Sequence, residues 1–327
     1  MSKKYIVIII ATLVAAVIFV CISVALSGNT ELPSTDTGAD KNAAEPFCLL
    51  VLGKDKVSAL TDVMMLISFD IKNDRICVMQ LPRDTYVDYG NASHKKLNTA
   101  VKFLGGEEEL CDFLSSSFGV HIDGYVSLEI DAFRKIIDTI GGVEIELPDR
   151  FDYEDPEQNL YIHLPAGKQV LDGKKAEMVV RFRSGYVRGD LDRLDMQKRF
   201  LVALFNKLKT SVTPSNAYEL ASNIIEHIDT NIDLALAIAL GLEALSVDNS
   251  SIGFLTLPGE DVISDRSGAS YYVMCAAAAR SVLVDCFFAD GDRLDEKKQF
   301  RHPSNKKFSD IYDKAIEPEV VFADTLN

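Results

Sequence analysis

The chain has 327 residues with 34 Lys and Arg against 49 Asp and Glu, a formal charge of −15, 47% hydrophobic content and six cysteines. That composition belongs to a folded protein and excludes a disordered acidic segment. The charge excludes a general nucleic-acid-binding surface, whose affinity comes from neutralising phosphates with Lys and Arg. Any phosphate site must therefore be local.

Lys3 and Lys4 precede an uncharged apolar run from Tyr5 to Ser27, 23 residues long. A helix of that length covers the roughly 30 Å hydrocarbon core of a bilayer. The leading lysines, with Glu31, Asp36 and Asp40 behind the run, place its N-terminus inside the cytoplasm and the rest of the chain outside. The apolar part of a cleaved signal peptide is shorter, about 7 to 15 residues. The sequence divides into a Lys stub and transmembrane anchor (1–27), a polar stalk rich in Ser, Thr, Gly and Pro (28–46), a folded domain (47–289) and a charged, poorly periodic segment (290–327) expected to be a loosely attached tail. The five cysteines beyond the anchor form no C-x-x-C pair and are odd in number, so they read as small core hydrophobes.

Within the domain, FCLLVLG, VMMLISFD and RICVMQLP are short apolar runs and read as strands. EEELCDFLSSSF is a helix stopped by Gly119, DGYVSLEI a strand, DAFRKIIDTI a helix ended by Gly141 and Gly142, and VEIEL a further strand. A helical pattern from Leu171 gives way to a strand-like VVRFR, followed by a long amphipathic helix over about Leu191 to Lys209. Helices near Asn216–Ile228 and Leu234–Leu245, a strand SIGFLTLP and a helix YYVMCAAAARSVLVDCFF complete the pattern. Interleaved strands and helices predict an α/β fold, an α/β/α sandwich with a central mixed sheet.

Three clusters carry chemistry. Asp55 and Asp62 sit at the end of one strand and the start of the next, where two carboxylates can converge on a hard cation or simply serve as turn and cap residues. Arg83 and Asp84 follow the third strand directly, with Pro82 fixing the backbone before them. Lys95 and Lys96 lie shortly after. Between Arg181 and Arg199 the chain sets six cations (Arg181, Arg183, Arg188, Arg193, Lys198, Arg199) against three acids (Asp190, Asp192, Asp195), inverting the overall charge. If VVRFR is a strand, Arg181 and Arg183 share a face; on the following helix Arg193 and Gln197 lie one turn apart. Such donors can converge on one anion, and the guanidinium fork matches phosphate oxygens in pairs. The alternative is a solvated helix laced with ion pairs to those three acids. No phosphate-binding G-x-x-x-x-G-K-[ST] loop and no G-x-S-x-G elbow occurs, and the five His stand in no motif.

The anchor, LLVLGKD, TDVMMLISFD, LPRDTYV, KKLNTAV, FGVHIDGYVSLEIDAFRKIIDTIGGVEIELP and AGKQVLDGKKAEMVVRFRSGYVRGDLDRLDMQKRF together resemble the LytR-CpsA-Psr family of Gram-positive bacteria. The resemblance implies a membrane-anchored extracytoplasmic phosphotransferase with an α/β/α fold and an apolar tunnel for lipid. Such enzymes use Mg²⁺ to move an anionic glycopolymer, of teichoic acid or capsular polysaccharide type, from a polyprenyl pyrophosphate carrier to peptidoglycan. It implies Asp55 and Asp62 as magnesium ligands. Arg83, Lys96, Arg181, Arg183, Arg193 and Gln197 would bind the pyrophosphate, and Arg83, Asp84 and Asp190 would be the catalytic set. The chain departs from the family at two points. Leu60 stands where the family carries an arginine two positions before the second aspartate, and the Asp55–Asp62 loop is short. These departures keep open a non-catalytic polyprenyl-phosphate-binding protein. A transcriptional attenuator is the third reading, and the acidic charge argues against it.

Overall fold

The computed structural model describes residues 46–54, 60–88, 95–156, 160–182, 190–212, 224–233, 236, 240, 247–265, 267–287 and 303–326. The predicted anchor and stalk lie outside the described residues, as do most of the segments expected as helices near 216–228 and 234–245. Among the described residues no helix is long and apolar enough to cross a membrane.

A seven-stranded sheet forms the middle layer. Its strands are β1 (Phe47–Lys54), β2 (Thr61–Asp70), β3 (Arg75–Gln80), β4 (Gly124–Glu129), β9 (Asp229–Thr230), β10 (Ile252–Thr256) and β13 (Val321–Phe322). They lie in the order β13-β10-β3-β2-β1-β4-β9. β1 pairs with β4 and β3 with β10 in parallel, and the other neighbours are antiparallel, so the sheet is mixed as expected. β2 is buried at all ten positions because it is the middle strand and both its faces are covered.

The period-two alternation of the strands feeds two separate cores. Leu49, Val51, Val63, Met65 and Ile67 face a layer built by α3 (Ile130–Thr139), α4 (Gly173–Arg181) and α5 (Asp190–Ser211), with Phe133 and Phe200 at its centre. Leu50, Leu52, Met64, Leu66 and Met79 face α1 (Ala100–Leu104), α2 (Glu107–Phe118) and α6 (Ala276–Phe287). The sandwich is thus α/β/α. Gly119 closes α2 in the left-handed region at φ 66°, as the sequence predicts.

Four features differ from the sequence reading. The described part of VVRFR, residues 179–182, is not a strand: Asp172 accepts a hydrogen bond from the Lys175 N–H at 2.8 Å and starts α4, which runs through Arg181 because Ala176, Val179 and Val180 bury one face in the core. YYVMCAAAARSVLVDCFF is split: Ser270–Met274 forms β12, paired antiparallel with β11 (Gly259–Ile263), and only Ala276 onward is helical. Between α3 and α4 the chain forms β5 (Val143–Leu147), β6 (Phe151–Asp155), β7 (Leu160–Leu164) and β8 (Gly167–Leu171), of which only β5 was anticipated. The pairs are β5 with β8 and β6 with β7. Finally, the stretch expected as a loose tail contains α7 (Lys306–Tyr312), capped by Asn305, and β13, which pairs with β10 at the sheet edge. Phe308 and Tyr312 of α7 pack under the β11–β12 hairpin with Val262 and Val273.

Cys48, Cys77, Cys111, Cys275 and Cys286 are free and buried. Burial pushes the Cys111 thiol up to about 12 and the Cys48 thiol higher still. A hydrogen bond from its neighbour Cys77 draws the Cys286 thiol down. Thiolate is the reactive form and all five are buried, so a thiol reagent at neutral pH is expected to leave them unmodified in the native protein and to label all of them in guanidinium chloride. Mass spectrometry of quenched samples checks this; rapid native labelling of Cys48 or Cys111 would contradict it.

Candidate functional site

The C-terminal ends of β1, β3, β4 and β10 and the N-terminal end of β2 share one edge of the sheet, since Lys54 pairs with Thr61 and Glu129, and Gln80 with Met65 and Thr256. Asp62 and Arg83 meet at this edge. The Arg83 guanidinium donates from Nη1 to Asp62 Oδ1 at 2.7 Å, and the two side chains are each only 6% exposed. Water cannot compete at that depth, so the pair fixes both groups.

The backbone around Arg83 is braced on both sides. Leu81 N–H donates to Met64 O, and a turn follows in which Thr85 N–H donates to Pro82 O at 2.9 Å. On one side Tyr86 N–H donates to Tyr272 O and Tyr272 N–H to Asp84 O; on the other Asn98 N–H donates to Arg83 O and Leu97 N–H to Thr85 O. Thr61, fully buried, donates through Oγ1 to Asn98 O at 3.2 Å and so ties the start of β2 to the same frame. Lys96 projects from this frame, donates to Asp84 Oδ1 at 2.9 Å and lies 5.3 Å from the Tyr271 ring centre. Asp84 Oδ2 stands 3.9 Å from Arg83 Nη2.

α4 brings Arg181 toward the same edge. α3 leaves β4 there, and α4 packs against it in the opposite direction: Gly173 N–H donates to Asp138 Oδ1 at 2.7 Å near the end of α3, whereas Glu177 accepts from Arg134 near its start. Arg181, one turn beyond Glu177, therefore returns to the edge. It donates from Nη1 to Glu177 Oε1 at 2.9 Å. Directly after Arg181, the Phe182 ring stacks on Phe151 with centroids 4.0 Å apart.

The structure thus brings together Asp62, Arg83, Asp84 and Lys96, and places Arg181 at the end of a helix aimed at them. Asp55 and Arg183 lie outside the described residues. Asp190, Arg193 and Gln197 fall in the first two turns of α5, Arg193 and Gln197 one turn apart as their spacing predicts, with side chains outside the described set. The sequence reading missed Thr61, Asn98 and Tyr272, which act through the backbone frame. It also missed Glu177, whose four-residue spacing from Arg181 is legible only once that segment is read as a helix. The described cations of the edge are held by carboxylates: Arg83 by Asp62, Lys96 by Asp84, Arg181 by Glu177 and Lys54 by Glu107. A guanidinium has five N–H donors, so one carboxylate contact orients it and leaves donors for an anion. Among the described residues no group of three or more His, Cys, Asp or Glu could hold a metal by itself.

An α/β/α sandwich with oriented Arg and Lys side chains at one sheet edge has the donors that an anionic group requires. The chain is a member of the LytR_cpsA_psr family, whose model matches residues 22–284. It is 26% identical over 237 residues to the polyisoprenyl-teichoic acid–peptidoglycan teichoic acid transferase TagV of Bacillus subtilis, a match covering 70% of this chain and 60% of that protein. It is 27% identical to the regulatory protein MsrR of Staphylococcus aureus, over 69% of each chain. The crystal structure of B. subtilis TagV superposes with a TM-score of 0.63 at 26% identity, covering 74% of this chain and 97% of that one. The chain thus spans about 60% of the length of the first of these relatives.

Proposed function

We propose that this protein is a membrane-anchored phosphotransferase that moves an anionic glycopolymer from a polyprenyl pyrophosphate carrier to peptidoglycan on the outer side of the membrane. The buried Asp62–Arg83 pair, held rigid at the sheet edge beside Asp84 and Lys96, carries the reading. Phosphoryl transfer needs little covalent help from protein and much fixed positive charge around the phosphates. Arg83, Lys96 and Arg181 supply such charge without reorganising, with Arg183, Arg193 and Gln197 as further donors. In the reaction the acceptor sugar hydroxyl attacks the phosphate joined to the glycopolymer. The P–O bond to the polyprenyl phosphate breaks, and the polyprenyl phosphate leaves. The hydroxyl proton goes to a carboxylate, a role for Asp84, bound to Lys96, or for Asp190. The name of the relative TagV supports this choice of donor and acceptor.

The donor set suits a hard cation. Asp62 is a buried carboxylate held in place by Arg83, and carboxylate oxygens are the hard donors that Mg²⁺ prefers. Asp62 with Asp55 would hold Mg²⁺, whose charge would neutralise the pyrophosphate. Full-length protein in detergent is expected to transfer a labelled oligosaccharide from polyprenyl pyrophosphate to peptidoglycan, to stop when EDTA is added, and to resume with excess MgCl₂. Transfer that continues in EDTA would remove the metal from the account. Lipid binding without transfer at any metal concentration would leave a carrier-binding protein, the outcome that Leu60 and the short metal loop would then explain.

A further inference from the structure

Glu177 is a buried carboxylate, 4% exposed, with an arginine on either side. Arg134 donates to its Oε2 from Nε and Nη2, both at 2.5 Å, and Arg181 donates to its Oε1 from Nη1 at 2.9 Å. Arg134 is itself steadied by Asp131 at 3.4 Å on the same helix. A doubly held carboxylate in a packed interior has one orientation, and it imposes one on Arg181. The contact uses Nη1 and leaves the opposite edge of the guanidinium, Nε and Nη2, which is the edge that meets two phosphate oxygens side-on. The Arg181 Nε is buried and has no hydrogen-bond partner among the described residues. A buried donor without a partner is costly, and an anion at that edge would satisfy it.

We propose that Glu177, backed by Arg134, is a positioning residue that sets the Nε–Nη2 edge of Arg181 toward the pyrophosphate. The inference rests on the reading of Arg181 as a pyrophosphate ligand. Its role differs from that of a fold-stabilising ion pair in one respect: its effect on ligand binding passes entirely through Arg181.

The test measures binding of farnesyl pyrophosphate, a soluble probe, by isothermal titration calorimetry to the full chain in detergent with MgCl₂. Glu177→Leu, which keeps the volume and removes both contacts, is expected to weaken binding about tenfold, in the range of a lost hydrogen bond to a charged group. Glu177→Gln keeps an acceptor for Arg181 and is expected to stay within about threefold of wild type. In an Arg181→Ala background Glu177→Leu is expected to change binding less than twofold, because the path runs through the missing side chain. Arg134→Met, at a half-exposed position that tolerates change, gives a second route with the same dependence on Arg181 should the Leu variant not fold. If Arg181→Ala weakens binding but neither Glu177→Leu nor Arg134→Met does, the positioning role is wrong and the pyrophosphate site stands. An undiminished effect of either variant in the Arg181→Ala background also overturns the role. If Arg181→Ala leaves binding unchanged, the pyrophosphate assignment of Arg181 falls, and the positioning role with it.

Discussion

Arg83→Ala is expected to lower glycopolymer transfer by about 10²- to 10³-fold, the usual loss when one fixed donor to developing charge is removed. The same change should destabilise the fold, because Asp62 would be left as a buried carboxylate without its guanidinium. Breaking a buried pair from one side costs about 3 to 5 kcal/mol. The two effects can be separated. Replacing both partners, Asp62→Leu with Arg83→Met, removes the stranded charge and keeps side chains of similar reach. Stability is then expected to return to within about 2 kcal/mol of wild type, while transfer stays lost. Chemical denaturation and the transfer assay on the same three preparations check this. A double variant that is stable and active would show that the pair serves the fold alone.

Gly173→Ala is expected to be as damaging, although the residue is far in sequence from Arg83. A Cβ at this position would lie 2.7 Å from both the carbonyl carbon and the Cα of Arg134, and closer still to its carbonyl oxygen. These are backbone atoms of α3, which cannot rotate aside. The helices must separate, at a cost of about 3 kcal/mol, the upper part of the range for overpacking. Separation would also stretch the contacts that carry α4 back to the sheet edge, Gly173 N–H to Asp138 and Arg134 to Glu177. Binding of a pyrophosphate probe should therefore weaken together with the denaturation midpoint. Unchanged stability would mean that α3 and α4 yield more easily than their packing implies.

The same two helices show where the sequence was legible. The sheet centre was clear because β2 holds an unbroken apolar run from Val63 to Ile67, as a strand covered on both faces does. The α3 helix was clear from its stripe of Phe133, Ile136 and Ile137 and its glycine stop. α4 was misread at its end because Val179 and Val180 are β-branched and Arg181-Phe182-Arg183 alternates, both strand signals. The Asp172 cap, burial of the two valines and the Glu177–Arg181 contact decide for the helix instead. β6 and β8 carry charged residues, and all three strands are short and separated by turns containing Pro156 and Pro165, so they left little trace.

The candidate site was legible in part for a related reason. Arg83, Asp84 and Lys96 stand beside recognisable strand and turn signals, and the resemblance to the family named their roles. Asn98, Thr61 and Tyr272 contribute through backbone bonds or a single hydroxyl, which no residue pattern announces. The pairing of each cation with its own carboxylate also escaped the net charge of −15. Asp62 and Asp84, expected as a metal ligand and a catalytic carboxylate, and Glu177, which no motif marks, also orient the cations of the edge.

Phosphorus bookkeeping on one reaction tests the central claim most directly. Full-length protein in detergent with MgCl₂, a polyprenyl-pyrophosphate oligosaccharide and peptidoglycan is followed by ³¹P NMR. The account predicts that a phosphodiester on peptidoglycan and polyprenyl monophosphate appear in equal amounts, and that neither appears with Arg83→Ala. Release of inorganic phosphate without a new phosphodiester, or equal transfer by the Arg83 variant, would contradict it.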